Sequence, residues 1–325
     1  MKAKLFIFTI VCLLLIVLSA CGSSASSDSE ESAENTQKNT EASSGNEEEK
    51  TVTYLEEEYT VPSETDKIAA ASLEAMEDAA MLDVQPIGAI TYAGELPSYL
   101  AEDLEGAESI GEKTQPNYET LLSMKPDVIL GSSKFPADVT EQLNKVATTI
   151  PVSHISTNWE NNLNLMAELT GKQDEAEKVI NGYKEDVEKI SSSVESMVDE
   201  KVLVIRVRSG NLFVYPQDVY LNPVLYNELG ISVPEEIKSV EAQEMISLEQ
   251  LAEINPDHIF LQFAEDENAD QPNMLEDLKE NQIWKSVKAV NEDNVYVNTV
   301  DPLAQGGTAW SKTKFLQGVQ ENLAE

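Results

Sequence analysis

One short pattern that occurs twice constrains the fold of this chain more than any other feature. Residues 118–130 and 248–260 both read x-E-x-L-x-x-(M/I)-x-P-D-x-I-(L/F). In each copy the apolar spacing predicts a short helix, Pro-Asp predicts a turn, and the apolar run after it predicts a buried strand. A strand that merely starts at Pro-Asp would explain the turns, but not the matching Glu119 and Glu249. Two halves built alike therefore indicate a bilobal protein with a cleft between the lobes.

Helical patterns alternate with short apolar runs in both halves, which indicates mainly parallel sheets. Between the halves, apolar residues such as Ala176, Ile180 and Tyr183 fall at helical spacing over residues 172–198, and only Gly182 interrupts the pattern. One helix of that length would span roughly 39 Å. We therefore predict an α/β fold of two Rossmann-like lobes, with central mainly parallel sheets, joined by one long α-helix. The predicted boundaries are 51–171 for the N-terminal lobe, 172–198 for the connecting helix and 199–325 for the C-terminal lobe.

The N-terminus has the pattern of an export signal. Lys2 and Lys4 precede an apolar stretch, residues 5–18, that is too short for a comfortable membrane span. Leu-Ser-Ala then leads into Cys21 and a glycine, which is the lipobox pattern: a diacylglyceryl group is attached to the cysteine and the chain is cut before it. The alternative is an ordinary signal peptide followed by a coincidental cysteine. Because the cysteine stands where the small-residue cleavage site belongs, we predict a lipoprotein signal peptide over residues 1–20.

Residues 21–50 follow the signal and are predicted to be a tether. They are mostly Ser, Glu, Asn, Gly and Thr, with almost no apolar residue. Such a composition predicts a disordered, acidic segment with a coil dimension of roughly 30 Å. The protein is accordingly expected at the extracytoplasmic face of a bacterial cell membrane, anchored through the lipid on Cys21.

Charge and composition exclude several classes of function. The formal net charge of −37 argues against nucleic acid as a partner, because phosphate binding needs a basic stripe. Cys12 leaves with the signal and Cys21 carries the lipid, so no disulfide and no thiolate metal site is expected. The chain has no G-x-S-x-G, phosphate loop or G-x-G-x-x-G, and His154 and His258 form no metal-ligand spacing, so both are predicted to be structural. Acidic residues are so numerous that the composition does not exclude the pair of catalytic carboxylates that a glycosidase needs.

The two arginines of the chain are the sharpest signal of a binding site. Arg206 and Arg208 lie at the C-terminal end of one predicted strand, and their spacing puts both side chains on one face. Ligands of open α/β sheets bind outside those strand ends, and a guanidinium holds oxygen anions in a fixed geometry. The pair therefore indicates an anion site in the cleft. The alternative is an internal ion pair with one of the many Asp or Glu residues.

Two lysines are candidates to face the arginines. Lys134 follows a predicted buried strand, and Lys113 follows a short passage from strand to loop. Either lysine alone would be read as a solvated surface residue. In a turn-rich segment, residues 301–310, Gly306 and Gly307 would let a backbone approach a ligand, and the alternative there is an ordinary loop that ends at a helix cap.

Glu119 and Glu249 occupy equivalent positions in the two copies of the repeated pattern. An acid in the first turn of a helix supports the helix dipole, and this alone would explain either residue. Their symmetric placement favours a second interpretation, in which one glutamate on each lobe meets a basic pocket on each half of a dimeric partner.

Together these features resemble the helical-backbone class of ABC-importer substrate-binding proteins, which bind iron siderophores, haem or cobalamin. The resemblance runs from about residue 51 to the C-terminus. Several stretches are closer to the FeuA-type lipoproteins, which bind ferric triscatecholate siderophores such as bacillibactin and enterobactin. These stretches are Gly111-Glu112-Lys113, Lys134-Phe135-Pro136, residues 149–156, residues 205–208 and residues 301–312.

The resemblance implies that Lys113, Lys134 and Arg208 form a basic triad around the trianionic iron complex. It implies that Arg206 assists and that Gln243 makes a polar contact. It also implies that Glu119 and Glu249 dock an ABC permease dimer, that the protein works as a monomer without a cofactor, and that the siderophore alone holds the iron. Two residues depart from the family pattern, where Gln is expected instead of Ser209 and a basic residue instead of Glu241.

Other interpretations are kept beside this one. A cobalamin- or haem-binding protein of the same fold would favour an aromatic cleft over a cation cluster. An extracellular glycosidase would turn over a sugar, although no enzymatic activity is predicted because no acid–base pair stands out. A structural or adhesive lipoprotein would neutralise the arginine pair internally.

Overall fold

The computed structural model describes residues 48–324. The predicted signal peptide, Cys21 and all but the last three residues of the predicted tether lie outside the described residues. The first strand, β1 (Glu49–Tyr54), begins two residues before the predicted start of the N-terminal lobe. Within residues 48–324, no helix combines the length and the apolar composition that a membrane span requires.

An antiparallel hairpin opens the described part of the chain. It pairs β1 with β2 (Glu57–Pro62) through Leu55 and Glu56, which both have positive φ, the backbone conformation of a two-residue hairpin turn. Tyr54 fastens the hairpin to the rest of the protein, because its hydroxyl donates to Asn162 Oδ1 at 2.6 Å and accepts the backbone N–H of Ser153 at 2.8 Å.

The first of two larger sheets has six strands in the order β6-β5-β4-β3-β7-β8. All neighbours are parallel except the short edge pair β5 and β6. Four central residues of the sheet, 68–71, are buried on both faces, as expected for a strand covered by helices on each side. The strands are β3 (Ile68–Ala71), β4 (Gly88–Thr91), β5 (Glu108–Glu112), β6 (Gln115–Pro116), β7 (Val128–Ser132) and β8 (Thr149–Val152).

The second sheet has five strands in the order β11-β10-β9-β12-β13. Strands β9, β12 and β13 are parallel, while β10 and β11 form an antiparallel edge. The strands are β9 (Val202–Arg208), β10 (Asn211–Val214), β11 (Glu244–Ile246), β12 (His258–Phe263) and β13 (Val295–Val297). The predicted α/β class with central, mainly parallel sheets is therefore confirmed.

Helices connect the strands and cover the sheets. A π-helical turn, Val224–Glu228, lies between β10 and the next helix. The α-helices are α1 (Leu73–Met81), α2 (Tyr118–Met124), α3 (Ala137–Leu143), α4 (Trp159–Thr170), α5 (Gln173–Ser193), α6 (Glu235–Lys238), α7 (Leu248–Ile254), α8 (Met274–Glu280), α9 (Lys288–Asn291) and α10 (Ala309–Leu323).

Helix α5 is the predicted connection between the two sheets. It has 21 residues, or about 31 Å, and is shorter than the predicted range because a 3₁₀ turn, Glu195–Met197, replaces its last part. Its buried face carries Ala176, Ile180, Tyr183 and Ile190 at helical spacing, as the sequence indicates.

The repeated pattern has a structural basis in both sheets. Helices α2 and α7 both end at a left-handed residue, Lys125 and Asn255, and the Pro-Asp turn follows. Asp127 accepts the backbone N–H of Lys67 at 2.8 Å, just before β3, and Asp257 accepts that of Lys201 at 2.7 Å, just before β9. The repeated aspartate therefore fixes the start of the neighbouring strand in each sheet.

Candidate functional site

A cavity of about 440 Å³ brings together all five residues predicted to bind ligand. Three of them stand at or just after the C-terminal ends of parallel strands: Lys113 after β5, Lys134 after β7 and Arg208 at the end of β9. This is the edge at which open α/β sheets bind ligands. The lining residues are Lys113, Lys134, His154, Ile155, Arg206, Arg208, Tyr215, Pro216, Val219, Tyr220, Glu241, Ala242, Gln243 and Gln305.

Lys113 is half-buried in the turn between β5 and β6. Its ammonium lies 5.3 Å from the centre of the Tyr92 ring, within range of a cation–π contact. Burial, and then repulsion from Lys134 and Arg206, lowers the pKa of Lys113 to about 8. The charge of this lysine therefore depends on pH close to neutrality.

Lys134 is held by two groups on other parts of the chain. Its ammonium is 3.3 Å from Glu74 Oε1 on α1 and donates to Gln305 Oε1 at 3.3 Å. Nearly half of the Lys134 side chain remains exposed (46%), while that of Glu74 is only 3% exposed. Lys134 is thus held by Glu74 and Gln305 and is still accessible to a ligand.

Arg206 and Arg208 project from the same face of β9 and share one acid. Glu267 accepts two hydrogen bonds from Arg206, from Nε and Nη2, both at 3.0 Å, and lies 3.3 Å from Arg208 Nη2. Arg206 is almost fully buried, whereas 38% of the Arg208 side chain is exposed. The internal ion pair considered from the sequence therefore exists, and it presents Arg208 to the cavity.

Polar and aromatic groups complete the wall beside the arginines. Gln243 Oε1 accepts from Arg208 Nη1 at 3.1 Å and from the Tyr215 hydroxyl at 3.4 Å. The rings of Tyr215 and Tyr220 are 4.9 Å apart, and the Arg206 guanidinium stands 5.4 Å from the Tyr220 ring. These rings give the cationic cavity one apolar side.

Both histidines make contacts within the protein. His154 lines the cavity, and its Nδ1 is 2.8 Å from Ser133 Oγ. Burial, with repulsion from Lys134, lowers the pKa of His154 and so disfavours its charged form. His258 lies away from the cavity, with its ring nitrogens at hydrogen-bond distance from Tyr296 and Glu200.

Reasoning from the sequence missed the residues that hold the cations. Glu74 and Glu267 are two among 59 acidic residues, and neither stands in a pattern that marks it. Gln305 lies in the turn-rich segment noted above. Gly306 in that segment has φ +73°, and an added Cβ would lie 2.5 Å from the backbone of Tyr220. The close approach predicted there is thus made by the protein's own backbone.

The cavity gathers four basic side chains in a strongly acidic protein. Its lining carries four basic side chains and one acid, Glu241, while Glu74 and Glu267 stand behind the bases. An anion with several charges could contact more than one of these bases at once. Within residues 48–324, no cluster of three or more His, Cys, Asp or Glu side chains is placed to hold a metal ion.

The repeated glutamates stand outside this cavity. Glu119 and Glu249 are exposed in the first turns of α2 and α7. Both helices are capped by other side chains, since Asn117 accepts backbone N–H groups in α2 and Ser247 forms a capping box with Gln250 in α7. Neither glutamate is therefore the N-cap of its helix, although each is placed to support the helix dipole.

The family model described as "Periplasmic binding protein" matches residues 68–301, most of the chain and both larger sheets. The chain belongs to the periplasmic binding protein family. One relative is the iron-uptake system-binding protein of Bacillus subtilis (strain 168). It is 52% identical to this chain over 288 residues, which cover 88% of this chain and 91% of that protein.

Solved structures agree with this assignment. The triscatecholate siderophore binding protein FeuA from Bacillus subtilis, crystallised with ferri-bacillibactin, superposes with a TM-score of 0.82 at 53% identity and covers 84% of this chain and 98% of its own. Staphylococcus aureus SirA complexed with staphyloferrin B gives a TM-score of 0.72 at 22% identity, covering 84% of this chain and 98% of its own, a likeness in fold alone. The predicted resemblance is thereby confirmed.

Proposed function

We propose that this chain is the substrate-binding lipoprotein of an ABC importer, which captures a ferric triscatecholate siderophore in the cavity for iron uptake. The observation that carries the proposal is the cluster of Lys113, Lys134, Arg206 and Arg208 at one cavity. A ferric triscatecholate is a trianion whose iron is already wrapped by six catecholate oxygens. It therefore needs cations and polar donors from the protein, and no metal ligands. The likeness to FeuA with ferri-bacillibactin supports the same ligand class.

Charge-assisted hydrogen bonds supply part of the energy for tight capture. A hydrogen bond between a charged donor and an anionic oxygen contributes about 1.5–3 kcal/mol. Three or four such bonds supply about 4.5–12 kcal/mol before the costs of association, so nanomolar affinity, about −12 kcal/mol, also requires the catechol rings to be buried against the apolar side of the cavity. Lys113, Lys134 and Arg208 are the proposed triad, with Arg206 and Gln243 as supporting contacts. Arg206 acts mainly through its ion pair, since little of its side chain is exposed.

Delivery and anchoring complete the proposal. Glu119 and Glu249 meet basic pockets on the two halves of a permease dimer, and their exposed, equivalent positions in α2 and α7 support this role. The lipid on Cys21 holds a monomer at the outer face of the membrane. The protein binds and releases its ligand without chemical change, in keeping with relatives whose names describe binding proteins.

A tryptophan-fluorescence titration tests the proposed ligand class. The chain from residue 22 onward is titrated with a ferric triscatecholate, and with a ferric hydroxamate and cobalamin as controls. We expect tight quenching by the triscatecholate alone, and loss of most of that affinity in Arg208→Ala. A better response to either control, or wild-type affinity in Arg208→Ala, would overturn the proposal.

A further inference from the structure

Glu77 is a fully buried carboxylate that joins α1 to the start of α10. It accepts hydrogen bonds from the Tyr99 hydroxyl at 2.6 Å, from the backbone N–H of Gln305 at 3.0 Å, and from the hydroxyls of Thr308 and Ser311. Thr308 is the N-cap of α10. The Glu77 side chain, on α1, thus holds the segment that leads into α10 in place through hydrogen bonds.

We call Glu77 and its four donors, Tyr99, Gln305, Thr308 and Ser311, the joint. An ionised carboxylate without partners is very costly to bury, and four donors converge on this one. Burial raises the pKa of Glu77 to about 7, while hydrogen bonds from Ser311, Thr308, Tyr99 and Gln305 oppose the rise. Removing the carboxylate would leave several donors buried without an acceptor.

Gln305 connects the joint to the ligand cavity. Its backbone N–H is shared between Glu77 Oε1 at 3.0 Å and Ser311 Oγ at 3.1 Å. Its side-chain Oε1 accepts from Lys134 Nζ and its Nε2 donates to the carbonyl of Leu303. Gln305 also lines the cavity. Helix α1 carries Glu74 one turn before Glu77, and Glu74 forms the ion pair with Lys134. The same helix therefore reaches Lys134 directly and through Gln305.

We infer that Glu77 is a positioning residue for the ligand site: it holds Gln305 in the place from which the Gln305 side chain orients Lys134. Glu77 itself does not touch the ligand. The inference rests on the proposed function, because it assigns Lys134 to the binding of the ferric triscatecholate.

Binding by Glu77 variants tests the inference. Glu77→Leu keeps a similar volume but accepts no hydrogen bond. Gln305 then keeps only the Ser311 hydroxyl as an acceptor, and Glu77 no longer orients that hydroxyl. Affinity for the ferric triscatecholate should fall about tenfold, the loss expected for one misplaced bond to a charged group. Glu77→Gln keeps a carbonyl acceptor and should restore most of the affinity. The matched control is Val319→Ala on the same helix α10, where a buried side chain about two turns beyond Ser311 is truncated. It should lower the melting temperature without changing the affinity.

A double-mutant cycle separates positioning from general destabilisation. Gln305→Ala removes the side chain that contacts Lys134 but keeps the backbone N–H that donates to Glu77. If Glu77 acts through Gln305, Glu77→Leu should cost much less affinity in the Gln305→Ala background than in the wild type. Equal losses in both backgrounds would overturn the inference, and so would unchanged affinity in Glu77→Leu.

Two further outcomes stay distinguishable. If Glu77→Leu does not fold, Glu77→Asp takes its place, since its shorter side chain cannot reach Gln305 and the two hydroxyls together; wild-type affinity in Glu77→Asp would then count against the inference. If the wild-type chain binds no ferric triscatecholate, the proposed function fails first. If it binds and the Glu77 variants bind equally well, only the positioning role fails.

Discussion

The charge of Lys113 should make ligand affinity depend on pH just above neutrality. Lys134 and the two arginines each have a glutamate partner, whereas no ion pair holds Lys113 in the part of the chain that the structure describes. Burial, with repulsion from Lys134 and Arg206, lowers the pKa of Lys113 to about 8 in the unliganded protein. A bound trianion stabilises the ammonium and raises that pKa again.

The direction and size of the effect follow from this shift. Above pH 8 the free protein loses a proton that the complex keeps, so binding takes up a proton and affinity falls as pH rises. At pH 9 about one tenth of the free protein carries a charged Lys113, which corresponds to roughly tenfold weaker binding than at pH 7.

Calorimetric titration with the ferric triscatecholate from pH 6.5 to 9.5 measures both the affinity and the proton uptake. Repeating the series in buffers of different ionisation enthalpy counts the protons directly. Lys113→Ala is the control, because it should bind more weakly at pH 7 and lose the pH dependence between 7 and 9. A flat profile for the wild type, or an unchanged slope in Lys113→Ala, would refute the reasoning.

Further predictions concern the second lysine of the cavity, the docking residues and a buried ion pair. Lys134→Ala should weaken binding about tenfold or more without unfolding the protein, and wild-type affinity measured by the same titration would contradict its role. Changing Glu119 and Glu249 together to Ala should spare ligand binding but stop iron uptake in cells, so unimpaired uptake would remove them from docking. Lys312 is fully buried and pairs with Glu228, which also accepts the Tyr183 hydroxyl. Lys312→Met should cost about 3–5 kcal/mol in urea unfolding, part of it recovered when Glu228→Leu is added, and an additive double variant would disprove the pairing.

Local sequence patterns were sufficient to predict the architecture. The repeated pattern marked α2 with β7 and α7 with β12, and the apolar spacing marked the connecting helix. The end of α5 was predicted less accurately, because apolar spacing continues through the 3₁₀ turn at Glu195–Met197 and no proline or glycine marks the change. Helix ends set by packing are not visible in a local pattern.

The candidate site could be predicted only in part. The two arginines were visible because the chain has only two and both stand at the end of a predicted strand, and the two lysines were recognised through the family resemblance. Their partners were not, since Glu74 lies 60 residues from Lys134 and Glu267 lies 61 from Arg206. Such contacts depend on the packing of separate elements, and an abundant residue type gives no local signal for them. Glu77 escaped notice for the same reason.

A crystal structure of the protein with its ferric triscatecholate tests the central claim most directly. We expect the chelate in the cavity, with the ammonium groups of Lys113 and Lys134 and the guanidinium of Arg208 each about 2.7–3.2 Å from catecholate oxygens. No protein side chain should contact the iron. A chelate bound elsewhere on the protein, or one seated in the cavity without contacts from these three side chains, would contradict the account.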